Sequence, residues 1–130
     1  MSNVPSALLY TDDHEWIELE GGIASIGITD HAQDQLGDIV YLGEFPEEGT
    51  KVEAGDVIGV VESVKATSDI YAPLSGRITV MNDDLIESPE LVNKEPYGDS
   101  WMIKIKISDK SELEDLLQAS FYEQLIENEE

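Results

Sequence analysis

Between residues 38 and 80 the chain is divided into short apolar runs, rich in β-branched residues, that are separated by turn-forming residues. The runs occupy residues 39–42, 57–61 and 78–80. Short strands at nearly even spacing are typical of a β-sandwich or a flattened barrel. The pattern therefore predicts a mainly β protein in which any helices are short.

The N-terminal part of the chain predicts a hairpin followed by one short helix. Two apolar runs within residues 16–28 flank a Gly-Gly pair, which favours a turn between two strands. Thr29 or Asp30 can cap a helix, and Gly37 can end it in a left-handed conformation. We therefore expect a helix between residue 29 and residue 37.

The C-terminal part predicts a loop, a strand and a helix. Residues 82–100 are rich in Asn, Asp, Ser, Pro and Gly, which favours a long loop. Residues 101–107 alternate, with Trp or Ile at each odd position, so we expect a half-buried strand whose other face carries Met102, Lys104 and Lys106. Ser111 and Glu114 fit a capping box and predict a C-terminal helix over about residues 111–126. The apolar stripe of this helix would consist of Leu113, Leu116, Leu117, Phe121 and Leu125.

Length and charge limit the class of protein. A chain of 130 residues has the length of one domain, and 41% hydrophobic residues is enough for a core. The formal net charge is -22, from 7 Lys and Arg against 29 Asp and Glu. Such a charge repels nucleic acid and anionic membrane, and it favours partners with basic surfaces. Strong self-repulsion also leads us to expect a monomer.

The chain contains no cysteine, so it can form neither a disulfide framework nor a thiolate metal site. No apolar run approaches the length of a transmembrane helix. The first residues do not have the pattern of a secretory signal or of an Arg-rich transit peptide. We expect a cytoplasmic protein of bacterial type, and the mature form of a mitochondrial protein fits the same features.

Motifs of common active sites are missing from the sequence. His14 and His31 are its only histidines, and neither lies in a two-histidine zinc motif. No nucleophile elbow or phosphate-binding loop is present, and among 29 acidic residues any carboxylate pair is uninformative. We therefore predict no catalytic residue and no metal site, and we expect that the protein is not an enzyme.

Lys65 lies near the tip of a hairpin predicted within residues 56–73. The residues around it, including Ser63, Ala66 and Thr67, are small, so a modifying enzyme could approach the amine. A group tethered to an exposed lysine can visit several partners, because tethering raises its effective concentration. The sequence thus favours a carrier lysine, and the alternative is an ordinary surface lysine in a turn.

The segment Glu-Ser-Val-Lys-Ala-Thr-Ser-Asp-Ile-Tyr-Ala-Pro-Leu-Ser-Gly at residues 62–76 resembles the lipoyl-lysine segment of glycine cleavage system H proteins. The resemblance covers nearly the whole chain. The other matching segments are Tyr10 and residues 14–16, 27–33, 36–38, 91–93 and 96–105. Biotin carriers resemble a Met-Lys-Met frame instead. Lipoyl domains of the 2-oxo acid dehydrogenase acyltransferases tend to show Asp-Lys-Ala and are shorter.

This resemblance implies a single lipoyl-carrier domain over residues 1–130, with a barrel-sandwich hybrid (hammerhead, lipoyl-domain-like) fold and a C-terminal helix. Lys65 would carry lipoate as an amide. The modification would remove one positive charge and take the formal net charge from -22 to -23. The dithiolane of lipoate would then supply the sulfur that this chain lacks.

The resemblance also implies partners in glycine catabolism and one-carbon metabolism. In the family, a pyridoxal-phosphate glycine decarboxylase loads the arm with an aminomethyl group, and an aminomethyltransferase passes the one-carbon unit to tetrahydrofolate. Dihydrolipoyl dehydrogenase then takes electrons from the dithiol, and a lipoate-attaching enzyme modifies the lysine. Two alternatives stay open: a relay that donates lipoyl or octanoyl groups to other lipoyl domains, and an unmodified acidic scaffold.

Two acidic residues match family positions that line a cleft for the loaded arm, namely Glu15 and Asp69. Carboxylates in a partly desolvated cleft would hold a cationic aminomethyl group. The alternative is that both are ordinary surface acids among 29. Asp13 departs from the family, which more often has a small or uncharged residue there, and it would change the charge of the cleft.

Overall fold

The structure, a computed structural model, describes residues 3–129, and in this part of the chain ten strands form two antiparallel sheets. The strands are β1 (Leu9–Tyr10), β2 (Glu15–Glu20), β3 (Ile23–Ile28), β4 (Ile39–Gly43), β5 (Lys51–Val52), β6 (Val57–Ser63), β7 (Thr67–Tyr71), β8 (Gly76–Met81), β9 (Ile103–Ile107) and β10 (Leu117–Gln118). The larger sheet has the order β10-β1-β2-β3-β9-β8-β5, and the smaller one has the order β4-β6-β7.

Short helices connect the strands or cover their ends. The α-helices are α1 (Asp30–Leu36), α2 (Asp83–Glu87), α3 (Leu91–Lys94) and α4 (Ala119–Glu129). Two 3₁₀ helices occupy Gly98–Ser100 and Lys110–Asp115. Within residues 3–129, no helix is long and apolar enough to span a membrane.

The main core lies between the two sheets. The larger sheet contributes Ile26 and Ile105, among others, and the smaller sheet contributes Ile58, Val61 and Ile70. Complete burial of one such side chain stabilises a fold by roughly 1.5–3 kcal/mol. The predicted mainly β fold of the barrel-sandwich type is thus confirmed.

A second cluster of buried side chains joins the C-terminal helix to the outer face of the larger sheet. Tyr122 of α4 stacks on Tyr10 of β1, with 4.7 Å between the ring centroids. Trp16 of β2 belongs to the same cluster, and its indole N–H donates to the carbonyl oxygen of Pro96 at 2.8 Å. The first half of β2 is therefore buried on both faces, because the next residue, Ile17, points into the main core, whereas residues 18–20 are exposed.

Helix α1 begins and ends at the residues that the sequence indicated. The Thr29 side chain accepts a hydrogen bond from the backbone N–H of Ala32, and the N–H of Gly37 donates to Gln33. Gly37 has a φ of 81°, which favours glycine. The first of the two candidate caps, Thr29, is therefore the cap.

The predicted loop over residues 82–100 is wrong, since this segment contains α2, α3 and a 3₁₀ helix. Each of these helices has five residues or fewer, too short for periodicity to reveal. Burial of Leu85 and Val92 in the main core holds α2 and α3 in place. The following strand starts at Ile103, and Met102 is buried, although the alternation had placed it on the exposed face.

The C-terminal helix begins at Ala119, eight residues later than the predicted start at residue 111. Asp109 caps a 3₁₀ helix by accepting from the N–H of Ser111, and this contact replaces the predicted capping box. Pairing of β10 with β1 then keeps the next residues extended. The buried side chains of α4 are Ala119, Tyr122 and Ile126, whereas Phe121 is exposed.

Candidate functional site

A rigid turn presents Lys65 at the tip of the β6–β7 hairpin. The last strand pair is Glu62 opposite Thr67, and the N–H of Ser63 donates to the carbonyl oxygen of Ala66 at 2.8 Å. The Ser63 hydroxyl oxygen accepts from the N–H of Lys65 at 3.2 Å and of Ala66 at 3.1 Å. These hydrogen bonds within the turn give it a defined shape. Lys65 is exposed on this turn.

The tip also rests against the end of helix α1. The N–H of Val64 donates to the carbonyl oxygen of Asp38 at 3.0 Å, and Lys65 Nζ lies 3.5 Å from the carbonyl oxygen of Gln35. The lysine stem passes over Gly37, where a Cβ atom would approach Lys65 Cε to 3.3 Å. A cation at the C-terminal end of a helix is favourable, because the unpaired carbonyl groups there carry partial negative charge.

Asn93 holds the end of α1 in register with the hairpin. Its side-chain oxygen accepts from the N–H of Ile39 at 2.8 Å, and its NH₂ group donates to Gln33 Oε1 and to the Gly37 carbonyl, both at 2.9 Å. Residue-by-residue reasoning did not single out this role for Asn93, because its partners are more than fifty positions away in the chain.

Glu15 is only 2% exposed, at the start of β2. Its Oε2 accepts from the backbone N–H of Tyr71 at 2.8 Å, and its Oε1 accepts from the Thr11 hydroxyl at 3.4 Å. Burial raises the pKa of Glu15 to about 8, and the nearby charge of Asp13 adds to the increase while the Tyr71 hydrogen bond opposes it. The carboxyl group is therefore mostly protonated at neutral pH.

The turn before Glu15 is anchored to other elements of the fold. His14 has a φ of 67°, a left-handed conformation that is uncommon outside glycine. Its ring Nδ1 lies 2.8 Å from the Tyr122 hydroxyl, which in turn lies 2.7 Å from Thr29 Oγ1. His31 is buried with its ring 4.8 Å from the ring of His14. Both histidines thus pack against other side chains next to the turn that leads into Glu15.

Glu15 borders a cleft of about 580 Å³. The acidic residues that line it are Asp12, Asp13, Glu15, Glu112 and Asp115, and its apolar walls include Tyr71 and Leu116. Sequence reasoning missed Glu112 and Asp115. Both belong to the 3₁₀ helix Lys110–Asp115, which lies beside the cleft. Glu112 accepts from the N–H and the hydroxyl of Ser75, at 2.7 and 2.8 Å, and this holds the helix there.

The structure does not bring the three proposed site residues together at one point. Asp69 is exposed on β7, two residues before Tyr71, and it is not among the residues that line the cleft. Lys65 lies beyond one end of β7, and Glu15 binds the other end. The four residue steps from Thr67 to Tyr71, the two ends of β7, span roughly 13 Å. Asp69 therefore lies between the lysine and the cleft.

The raised pKa of Glu15 predicts a specific pH dependence of stability. The folded protein binds this proton more tightly than the unfolded chain, so the free energy of unfolding should fall as pH rises from about 4.5 to about 8. We expect Glu15→Gln to remove this contribution, which is of the order of a few kcal/mol. Urea unfolding of both proteins at pH 5.5, 7 and 8.5 measures it. Identical pH slopes, or a Glu15 carboxyl that titrates near 4.5 by NMR, would contradict the prediction.

Among residues 3–129 no group of three or more His, Asp or Glu side chains is arranged to hold a metal ion. Two features of the described residues are suited to chemistry, namely the exposed amine of Lys65 and the acidic cleft. This combination of a presented lysine and a separate sheltered cleft is suited to carrying an attached group.

Comparison with known proteins agrees with this geometry. The family model described as "Glycine cleavage H-protein" matches residues 8–129. The glycine cleavage system H protein of Pectobacterium carotovorum is 57% identical over 100% of both chains. That of Carboxydothermus hydrogenoformans is 55% identical over 99% of this chain and 98% of its own.

A solved structure shows the same likeness in three dimensions. The crystal structure of a glycine cleavage system H protein from Mycobacterium marinum superposes with a TM-score of 0.81 at 36% identity, covering 93% of this chain and 97% of that one. The match to the family model includes the hairpin that presents Lys65. The chain therefore belongs to the glycine cleavage H-protein family.

Proposed function

We propose that this protein is the lipoyl-lysine carrier of a glycine cleavage system and that Lys65 bears the lipoate. The observation that carries the proposal is the exposed lysine on a rigid hairpin tip in a member of this family. The residues present fit the group, because the small neighbours Ser63 and Ala66 leave the amine accessible. When attached, lipoate would supply the dithiol that holds an aminomethyl group, in a chain without cysteine.

Acylation would release the lysine stem from helix α1. In the structure the positive charge of Nζ faces the carbonyl oxygen of Gln35, at the C-terminal end of the helix. An amide nitrogen has no charge, so the favourable interaction with the helix end is lost. The stem of Lys65 would then extend into solvent, while the turn keeps its shape through Ser63.

Glu15 and Asp69 are proposed to receive the loaded end of the arm. An aminomethyl amine is a cation near neutral pH, and a cation beside Glu15 favours the ionised form of its carboxyl group. Entry of the cation would thus release the Glu15 proton and create an ion pair in a partly desolvated cleft. Asp69, exposed between Lys65 and the cleft, would attract the same cation on its way.

The cleft role predicts a phenotype for Glu15→Ala. We expect lipoylation of Lys65 to proceed at the wild-type rate, while formaldehyde is released several-fold faster once the carrier has been loaded from glycine. The physical reason is that the cation loses its buried partner and stays in water. Formaldehyde trapping over time provides the measurement, and Glu18→Ala, an exposed acid on the same strand, is the control. Equal release from both variants would remove Glu15 from this role.

The proposed partners are those of the family: the lipoate-attaching enzyme, glycine decarboxylase with pyridoxal phosphate, aminomethyltransferase with tetrahydrofolate, and dihydrolipoyl dehydrogenase. The protein itself would be a monomeric shuttle in the bacterial cytoplasm with no turnover of its own. The net charge of -22 supports attraction to basic surfaces on these enzymes.

The direct test is intact mass and peptide mapping after incubation with a lipoate ligase, lipoate and ATP. We expect one lipoyl addition, on the peptide that contains Lys65. Glycine-dependent loading by the decarboxylase should follow. Lipoylation without such loading would point instead to a relay between lipoyl proteins, and no addition on a folded protein would favour an unmodified scaffold.

A further inference from the structure

Three large apolar side chains are exposed beside Lys65: Val40 (57%), Tyr41 (40%) and Val64 (68%). Val64 precedes Lys65 in the turn, and its N–H donates to the carbonyl oxygen of Asp38 at 3.0 Å. That hydrogen bond places the turn beside the first residues of β4. We call Val40, Tyr41 and Val64 together the tip patch.

A β-bulge in β4 creates most of this patch. Ile39 is opposite Ser63 and Tyr41 is opposite Glu62, so Val40 is an extra residue in β4. Ile39 and Leu42 both point into the core, and the two residues between them both point outward. Regular alternation would have placed one of those two inward. Bulges often lie next to functional sites, where they redirect side chains.

Gly43 allows Tyr41 to lie along the outer face of β4. A Cβ atom at position 43 would overlap the Tyr41 hydroxyl oxygen, so the ring extends over the glycine. The tyrosine therefore offers its ring as a flat surface. Acidic residues flank the patch, since Asp38 and Glu44 are exposed and Glu62 is partly exposed.

We propose that the tip patch is the docking surface of the enzyme that acylates Lys65. This proposal rests on the proposed function of Lys65 as the lipoyl-lysine. An apolar centre with an acidic rim fits a partner surface that is apolar in the middle and basic around it. Val64 precedes the lysine that such a partner must reach, and Tyr41 is opposite Glu62 in the strand pair that leads to it.

The chemistry favours this enzyme over the other partners. The Lys65 ammonium group first gives up a proton, and the neutral Nζ attacks the carbonyl carbon of an acyl adenylate. The new C–N bond forms, the C–O bond to AMP breaks so that AMP leaves, and the amide nitrogen gives up a second proton to solvent. The reacting nitrogen is separated from the hairpin backbone only by the lysine side chain, without the added length of the lipoyl group, so the acylating enzyme must cover the residues beside Lys65. Enzymes that act on the far end of an attached arm can work at a distance from the tip.

The test compares lipoylation kinetics of surface variants with a lipoate ligase, lipoate and ATP. Val40→Thr, Tyr41→Thr and Val64→Thr are made singly and together, because threonine suits a strand and removes apolar surface. Val57→Thr and Leu19→Thr are the controls: Val57 is exposed at the far end of β6, and Leu19 is exposed on the larger sheet. We expect kcat/KM to fall about tenfold or more in the triple variant and to stay within twofold in the controls.

The outcomes separate the inference from the function on which it depends. If the wild-type protein is not acylated, the proposed function fails. If it is acylated and the triple variant keeps the wild-type kcat/KM, the docking surface is refuted while Lys65 remains the carrier. If acylation is unchanged but glycine-dependent loading falls, the patch belongs to the decarboxylase and the inference is also refuted. Melting temperatures check the fold, and the single variants serve if the triple variant is unstable.

Discussion

Lys65→Arg is expected to abolish lipoylation and glycine-dependent turnover while leaving the stability of the protein almost unchanged. A guanidinium group stays protonated at any physiological pH, so it cannot attack an activated acyl group. The side chain at position 65 is exposed, and exposed substitutions usually change stability by less than about 0.5 kcal/mol. Intact mass should show no lipoyl addition, and the melting temperature should stay within about 1–2 °C.

Lys51→Arg is the matched control for this experiment. Lys51 is also exposed, but it lies on β5, in the other sheet, at a distance in sequence from the hairpin tip. Its variant should be lipoylated as the wild type is. Lipoylation of the Lys65→Arg protein on another residue would refute the assignment of Lys65, and a marked loss of stability would refute the description of an exposed tip.

Gly76→Ala is expected to destabilise the fold by about 3 kcal/mol, because the new methyl group has no space. A Cβ atom at position 76 would overlap the backbone carbonyl oxygen of Lys106 and would lie 2.9 Å from its carbonyl carbon. Gly76 pairs with Ile107 of β9 and with Val52 of β5, so its backbone cannot move without breaking the sheet. Urea unfolding at neutral pH measures the loss.

Gly43→Ala makes a sharp control for this effect. Its Cβ would also overlap an oxygen atom, but that atom is the hydroxyl at the end of the partly exposed Tyr41 side chain. The ring can rotate into solvent, so we expect a cost below about 1 kcal/mol. If Gly76→Ala lowers the free energy of unfolding by as little as Gly43→Ala is expected to, then β8 and β9 adjust more easily than the contacts at Gly76 indicate.

Local patterns predicted the parts of the fold that depend on neighbouring residues. Thr29 and Gly37 bound helix α1 because a cap and a left-handed end are properties of a few consecutive residues. The β6–β7 hairpin follows from two apolar runs around small turn residues. The C-terminal helix was placed eight residues too early because pairing of β10 with β1 overrides the local capping signal.

The candidate site also has one part that a local pattern predicted and another that only the tertiary structure shows. The sequence was sufficient to single out Lys65, because a lysine among small residues between two strand-like runs is a local feature that resembles a known family. Only the tertiary structure buries Glu15, raises its pKa to about 8 and lines its cleft with Glu112 and Asp115. It alone also shows that a bulge turns Val40 and Tyr41 outward beside the lysine. Desolvation and contacts between distant segments arise only when the chain packs, so no local pattern encodes them.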